Sequence, residues 1–354
     1  MVANKEVLAL NNLHVKFKTL AGTINAVRGV SYKLYQGETL ALVGESGSGK
    51  SVSTKAITRV LPKNAIVSGD SIMYQGENLL EKDEKALTKI RGNEIAMIFQ
   101  DPMTSLNPVM TVGYQIAEPM IEHRQMSKTE AKKAAIDLMK KVGIVKAEER
   151  YSQYPHQFSG GMRQRVMIAL AVACHPKIMI ADEPTTALDV TIQAQIIELL
   201  KNLNQEYQMS TIFITHDMGV VANIADRIAV MYAGKIVEFG TANEIFFNPQ
   251  HPYTWGLLMA VPDMDIEDQD LYTIPGSPPN LLHVPQGDPF ASRNKFALNI
   301  DLKKEPPMFK VSDTHYAATW LLDERAPKVE PPKEIRDRWE FFKTNLAKKD
   351  KIES

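Results

Sequence analysis

Polar and apolar positions alternate from Leu8 to Phe17 and again from Ala26 to Tyr35, the period of strands with one covered face. Thr39–Val43, Ile95–Phe99, Ile178–Ala181 and Thr211–Ile214 are instead short runs of nearly unbroken apolar character, as in parallel strands covered on both faces. Arg227–Met231 is a weaker instance of the same pattern. Between them the apolar spacing changes to three and four over Lys128–Val142, Gly161–Ala173, Ile192–Tyr207 and Met218–Ala225, which predicts helices. Strands alternating with helices predict an α/β fold. Residues 103–172 carry no good strand pattern and are expected to form a helical insertion. Beyond about residue 246 the periodicity fades. Half of the 20 prolines fall between Pro275 and Pro332, and Pro278-Pro279, Pro306-Pro307 and Pro331-Pro332 forbid long regular elements. A loop-rich tail is expected there, packed in part through Phe290, Phe296, Phe309 and Trp320, with an amphipathic or frayed helix over 333–349.

Composition adds exclusions. The 354 residues are 44% hydrophobic, ample for a core and long for one compact domain. A net charge of −1 provides no global basic field, so no nucleic-acid partner is expected. Cys174 is the single cysteine; a disulfide framework is impossible, which fits a reducing compartment. Following an apolar helix, it reads as a small core residue. Met1–Leu10 carries Lys5 and Glu6 without the apolar centre of a signal peptide. The longest apolar run, 166–174, falls short of the roughly 18 residues a membrane span needs. Work at a membrane is therefore expected to require docking on a spanning partner.

The most specific chemistry follows the strand Thr39–Val43. Gly44-Glu45-Ser46-Gly47-Ser48-Gly49-Lys50-Ser51, continued by Val52, satisfies G-x-x-x-x-G-K-[ST] in full and leads into a helix-compatible run. Phosphate oxygens need several converging donors; glycines let the backbone wrap close, and the helix start adds a favourable dipole end. Lys50 is expected to reach the β- and γ-phosphates and the Ser51 hydroxyl to ligate Mg²⁺. A second acidic site ends the strand Ile178–Ala181: Asp182 to support Mg²⁺, Glu183 to polarise the attacking water. Alone it is an ordinary strand terminus; paired with the phosphate loop it reads as an NTPase site.

Phe158-Ser159-Gly160-Gly161-Met162-Arg163-Gln164-Arg165 resembles the signature motif of ABC transporter ATPases, which other P-loop classes lack. Asp189 in Ala187-Leu188-Asp189 resembles the D-loop, and His216 after Thr211–Ile214 resembles the switch histidine. The resemblance implies a P-loop NTPase (ABC-type) nucleotide-binding domain. A RecA-like core with an antiparallel β subdomain would span 1–102 and 173–245, a helical subdomain 103–172 and a Pro-rich C-terminal extension 246–354. It implies a head-to-tail dimer in which Ser159, Gly160, Gly161 and Gln164 act on the partner's ATP. It further implies that Phe17 stacks on adenine, Gln100 contacts metal and water, and His216 holds the γ-phosphate and aligns Glu183. Closure on ATP would push permease helices docked near Gln100 and the helical insertion.

Finer stretches resemble the oligopeptide and dipeptide permease ATPases: Gln100-Asp101-Pro102-Met103-Thr104-Ser105-Leu106-Asn107-Pro108, Tyr154-Pro155-His156-Gln157, Asn248-Pro249-Gln250-His251-Pro252-Tyr253-Thr254 and Ile274-Pro275-Gly276-Ser277-Pro278-Pro279. This implies oligopeptide uptake. It also implies a paralogous ATPase, two transmembrane permease subunits and an extracellular peptide-binding lipoprotein as partners, and a peripheral position on the cytoplasmic face. The same subfamily with dipeptide or nickel cargo is the nearest rival. A soluble ABC ATPase is another, but no second ATPase domain or coiled-coil insertion is visible. Many relatives hold an iron–sulfur cluster on four tail cysteines; here the matching positions read Asp288, Asn294, Asp301 and Thr319. Without thiolates the cluster has no ligands, so none is expected.

Overall fold

The structure, a computed structural model, describes residues 5–186, 188–261 and 272–350. The two alternating segments form a long antiparallel pair, β1 (Glu6–Thr19) and β2 (Gly22–Tyr35). Their alternation buries Leu8, Leu10, Leu13, Val15, Val27, Val30 and Leu34. After β3 (Thr39–Val43) and α1 (Lys50–Ile57), three short strands return to this pair. These are β4 (Ala65–Ser68), β5 (Ser71–Tyr74) and β6 (Glu77–Asn78); with β1 and β2 they make the five-stranded antiparallel sheet expected as a subdomain.

Next come α2 (Glu84–Ile90) and β7 (Ile95–Ile98), and then a stretch of helices alone: α3 (Pro102–Ser105), α4 (Val112–Arg124), α5 (Lys128–Lys141), α6 (Ala147–Arg150) and α7 (Gly160–Val172). Chain entry into α5 is fixed by a capping box. Ser127 Oγ accepts from Glu130 N, and the Glu130 carboxylate accepts from Ser127 N at 2.9 Å. The core resumes with β8 (Ile178–Asp182), α8 (Val190–Tyr207), β9 (Ser210–Thr215), α9 (Met218–Ile224), β10 (Arg227–Tyr232) and β11 (Lys235–Thr241). The extension adds α10 (Ala242–Phe247), α11 (Pro252–Met259), β12 (Phe309–Lys310), β13 (Tyr316–Ala317) and α12 (Lys333–Asp350).

The second sheet runs β12-β13-β11-β10-β3-β9-β8-β7. From β10 to β7 it is parallel, and the other three strands join antiparallel. Its central strands are buried on both faces, as their unbroken apolar runs require. Leu40, Leu42, Ile178, Ile180, Ile212 and Ile214 face the antiparallel subdomain. Met179, Ala181 and Phe213 face the helical insertion, whereas Ala41, Val43, Ile228 and Val230 pack with Tyr253, Trp255, Leu258 and Phe290 of the extension. Truncating any of these fully buried leucines or isoleucines to alanine costs about 2–5 kcal/mol.

The extension is therefore built onto the second sheet and shares its hydrophobic cluster. Of the four aromatic residues expected to hold it, Phe290 is buried, Phe296 packs edge-on to Trp255, and Phe309 packs edge-on to Trp320. A buried carboxylate strengthens the seam: Glu238 accepts from Gln250 N and His251 N and lies 2.8 Å from His315 Nε2.

Candidate functional site

Because β3, β7, β8 and β9 run parallel, their C-terminal ends lie along one sheet edge, the usual ligand side of such folds. The phosphate loop leaves β3, Gln100 follows β7, Glu183 follows β8 and His216 follows β9. A cavity of about 1010 Å³ opens at that edge, lined by Phe17, residues 44–52, Gln100, Glu183 and His216. The loop and the predicted Gln100, Glu183 and His216 are thus brought together, although these three lie far apart along the chain.

The loop's glycines have a steric cause. Gly44 has φ +145°, and a Cβ there would lie 2.1 Å from the Met231 carbonyl oxygen; Gly49, at φ +101°, would meet the Ala26 carbonyl oxygen at 2.6 Å. Only glycine lets these backbones approach. Lys50 is buried and donates to the carbonyls of Gly44 (2.6 Å) and Glu45 (2.9 Å), which holds its ammonium inside the loop. Burial pulls its pKa down, opposed by the carboxylates of Glu183, Asp182 and Glu45. One donor departs from the expected cradle: Glu45 N–H is committed to the Tyr253 hydroxyl at 2.7 Å.

Ser51 Oγ donates to Asp182 Oδ1 at 2.5 Å. Asp182 is fully buried, and its Oδ2 makes no hydrogen bond, lying 3.2 Å from Lys55 Nζ. A buried carboxylate oxygen with spare lone pairs beside a serine hydroxyl is a hard-oxygen donor set, which fits Mg²⁺. Glu183 sits one residue on, with φ 48°, a conformation that costs a non-glycine residue energy and that clusters at functional sites. Gln100 Nε2 donates to its Oε2 at 2.9 Å and Thr186 Oγ1 to the same oxygen at 3.0 Å. His216 Nδ1 is 3.5 Å from Oε1, with its ring largely exposed. Thr186 was not anticipated; its signal was only its place three residues after Glu183.

Ser159 N-caps α7, with its hydroxyl accepting from Met162 N at 3.4 Å, and Ser159 and Gly160 are exposed. Neither they nor Gly161 line the chain's own cavity. Gln164 is buried instead, and its Nε2 makes no hydrogen bond. Asp189 caps α8 by accepting from Ile192 N at 2.9 Å; Ala187, two residues before, lies outside the described residues.

The four tail positions each hydrogen-bond within their own loops. Asp288 and Asp301 are buried and their carboxylates accept from Phe290 N and Leu298 N; Asn294 Oδ1 accepts from Phe296 N and Thr319 Oγ1 from Leu321 N. Each side chain closes a turn of its own loop. An iron–sulfur cluster does not fit these oxygen and amide groups, and Cys174 is buried beside Pro119 in the helical insertion.

Residues 27–186 match the ABC transporter family, and residues 237–300 match the oligopeptide/dipeptide transporter C-terminal region. The dipeptide transport ATP-binding protein DppD of Lactococcus lactis subsp. cremoris is 58% identical, over 96% of this chain and 97% of that protein. The oligopeptide transport ATP-binding protein OppD of Bacillus subtilis is 55% identical over 95% and 94%. A solved ATP-binding cassette, dimeric and bound to ADP and phosphate after hydrolysis, superposes with TM-score 0.60 at 30% identity, covering 66% of this chain and 98% of that one. On this identity over nearly its whole length, the chain belongs to the ABC transporter ATP-binding proteins, in the branch that carries the oligopeptide/dipeptide transporter C-terminal region.

Proposed function

We propose that the chain is the ATP-hydrolysing subunit of an ABC importer that drives uptake of oligopeptides. The observation that carries this reading is the convergence on one cavity of the phosphate loop and the Gln100–Glu183–His216 cluster. The oligopeptide and dipeptide transport roles of its relatives support the cargo class.

Lys50 and the loop's backbone bind the triphosphate. Ser51 and Asp182, with Gln100, hold Mg²⁺, which neutralises phosphate charge when bound. Glu183 accepts the proton of the attacking water, and the Gln100 and Thr186 hydrogen bonds on one oxygen leave its other oxygen facing His216. His216 orients the carboxylate and the γ-phosphate, and Phe17, half-buried at the cavity, stacks on the base.

Ser159, Gly160, Gly161 and Gln164 belong to the site of a second ATPase subunit, with Asp189 at the same contact; the exposure of Ser159 and Gly160 at the N-terminus of α7 supports this, whereas Gln164 is buried. Partners are a paralogous ATPase, two transmembrane permease subunits and an extracellular peptide-binding lipoprotein, with no nucleic acid. As the ATPase subunit of such an importer, the chain docks peripherally on the cytoplasmic face; no helix among the described residues is long and apolar enough to cross a membrane. The proposed units remain 1–102 with 173–245 as core, 103–172 as helical subdomain and 246–354 as extension. No iron–sulfur cluster is carried; about four irons per purified chain would contradict that.

Uptake of a labelled oligopeptide of roughly five residues, by cells with wild type or none of this subunit, tests the cargo. Uptake that depends on the subunit supports the reading. Dependence of dipeptide or nickel uptake alone moves the cargo and leaves the ATPase in place.

A further inference from the structure

The cavity that receives the phosphate loop is closed on one side by residues of the C-terminal extension, outside the nucleotide motifs. Leu257 and Ala260, and Tyr272, Thr273, Ile274, Pro278 and Leu281 of the extension, complete its lining opposite Phe17 and Ile24. This wall is pinned at both ends. Leu281 O accepts from Asn25 N at 3.1 Å, and the Arg293 side chain donates from Nε to the Pro275 carbonyl (2.7 Å) and from Nη2 to that of Ile274 (3.4 Å).

Arg293 has a second set of bonds. Its guanidinium holds the Glu45 carboxylate in a two-pronged pair, Nη1 to Oε2 at 2.5 Å and Nη2 to Oε1 at 2.9 Å, and Nη1 also donates to the Tyr232 hydroxyl at 3.2 Å. The Arg293 side chain is 3% exposed and that of Glu45 28%. Tyr253, also from the extension, takes the Glu45 N–H. Both polar ends of the loop's second residue are thus held by the extension.

A carboxylate in a phosphate loop is an electrostatic liability, because its charge repels the triphosphate the loop must bind. We propose that Arg293 is a positioning residue of the nucleotide site, which neutralises Glu45 and turns its carboxylate away from the phosphates so that a nucleoside triphosphate can bind. The extension then completes the site in the same chain, both as a wall and as the source of that counter-charge. A lysine could not reproduce the planar two-bond grip. This rests on the ATPase reading above.

The test is equilibrium binding of a fluorescent ATP analogue with Mg²⁺ to the full chain, in wild type, Arg293→Gln, Glu45→Gln and the double variant, with thermal unfolding as a check on folding. Arg293→Gln is expected to raise Kd about ten-fold, equivalent to about 1.4 kcal/mol, by less at high salt. Glu45→Gln binds at least as tightly as wild type, and the double variant returns to the wild-type range. A purely structural role for Arg293 predicts no such rescue, so a double variant as weak as Arg293→Gln overturns the proposal. So does Arg293→Gln binding like wild type. If Arg293→Gln does not fold, Glu45→Gln alone decides: weaker binding than wild type refutes the proposal. Wild type that binds no nucleotide overturns the ATPase reading itself, and the proposal with it.

Discussion

Replacing Asp288 by asparagine should make the protein more stable at neutral pH. Asp288 is 6% exposed, and its Oδ1 accepts from Phe290 N at 2.9 Å, a bond an asparagine oxygen reproduces. Burial, above all, raises its pKa from 3.8 to about 6; Asp301 and Glu305 push the same way, while the Phe290 N–H and Arg28 oppose. The folded pKa therefore lies above the unfolded one. Such a group contributes stability below about pH 4 and loses it as pH rises through about 6. A rise of that size corresponds to at most about 3 kcal/mol of cost for the ionised form. Asparagine does not titrate, so the variant should gain up to that amount above pH 7, and the gain should shrink to about 1 kcal/mol at pH 4.5 and vanish only below about pH 4. Urea unfolding of both proteins from pH 4.5 to 8 reads this directly. A variant less stable than wild type at pH 7.5, or a difference that does not change with pH, would refute the reasoning.

Two further substitutions follow from the loop's surroundings. Gly44→Ala places a methyl 2.1 Å from the Met231 carbonyl oxygen in a left-handed backbone; a loss of about 1–3 kcal/mol in urea unfolding is expected, together with impaired ATP binding. Wild-type affinity in that variant would show that the tight approach is dispensable. Tyr253→Phe removes the acceptor of Glu45 N–H and keeps the ring. Since water reaches the loop, the stability cost is expected near 1 kcal/mol by the same assay, and no measurable cost would count against the hydroxyl's role.

What the sequence made legible was what local pattern controls. Thr39–Val43, Ile178–Ala181 and Thr211–Ile214 are covered on both faces, so their apolar runs were unambiguous, and the structure has strands at all three. The two-residue strand β6 and the four-residue strands β4 and β5 were not: their burial alternates over too few positions to register as a period. Helix α4 was hidden because Pro119 sits inside it, where the residue ordinarily marks a break. The tail's prolines pointed to loops, which is right for most of it, but β13 pairs with β11, a contact that only the tertiary fold creates.

The candidate site divides along the same line. Residues 44–51 announce themselves because one contiguous loop must wrap one phosphate chain. Glu183 was readable from the acidic end of an apolar strand, but Gln100 and His216 were readable only through resemblance, since their meeting with it depends on the order of parallel strands. Arg293 carried no signal at all, as 248 positions separate it from Glu45. Tyr253 was noticed as part of a family motif, without its hydroxyl's role in the phosphate loop.

The central claim is that Glu183 is the group that activates water for ATP hydrolysis. The most direct measurement is ATP turnover by the transporter assembled with wild type or Glu183→Gln, with ATP binding measured on the same samples. Glutamine keeps the size of the side chain and removes the proton acceptor, so binding should persist while turnover falls at least about 100-fold. Turnover within a few-fold of wild type, with binding intact, would contradict the account.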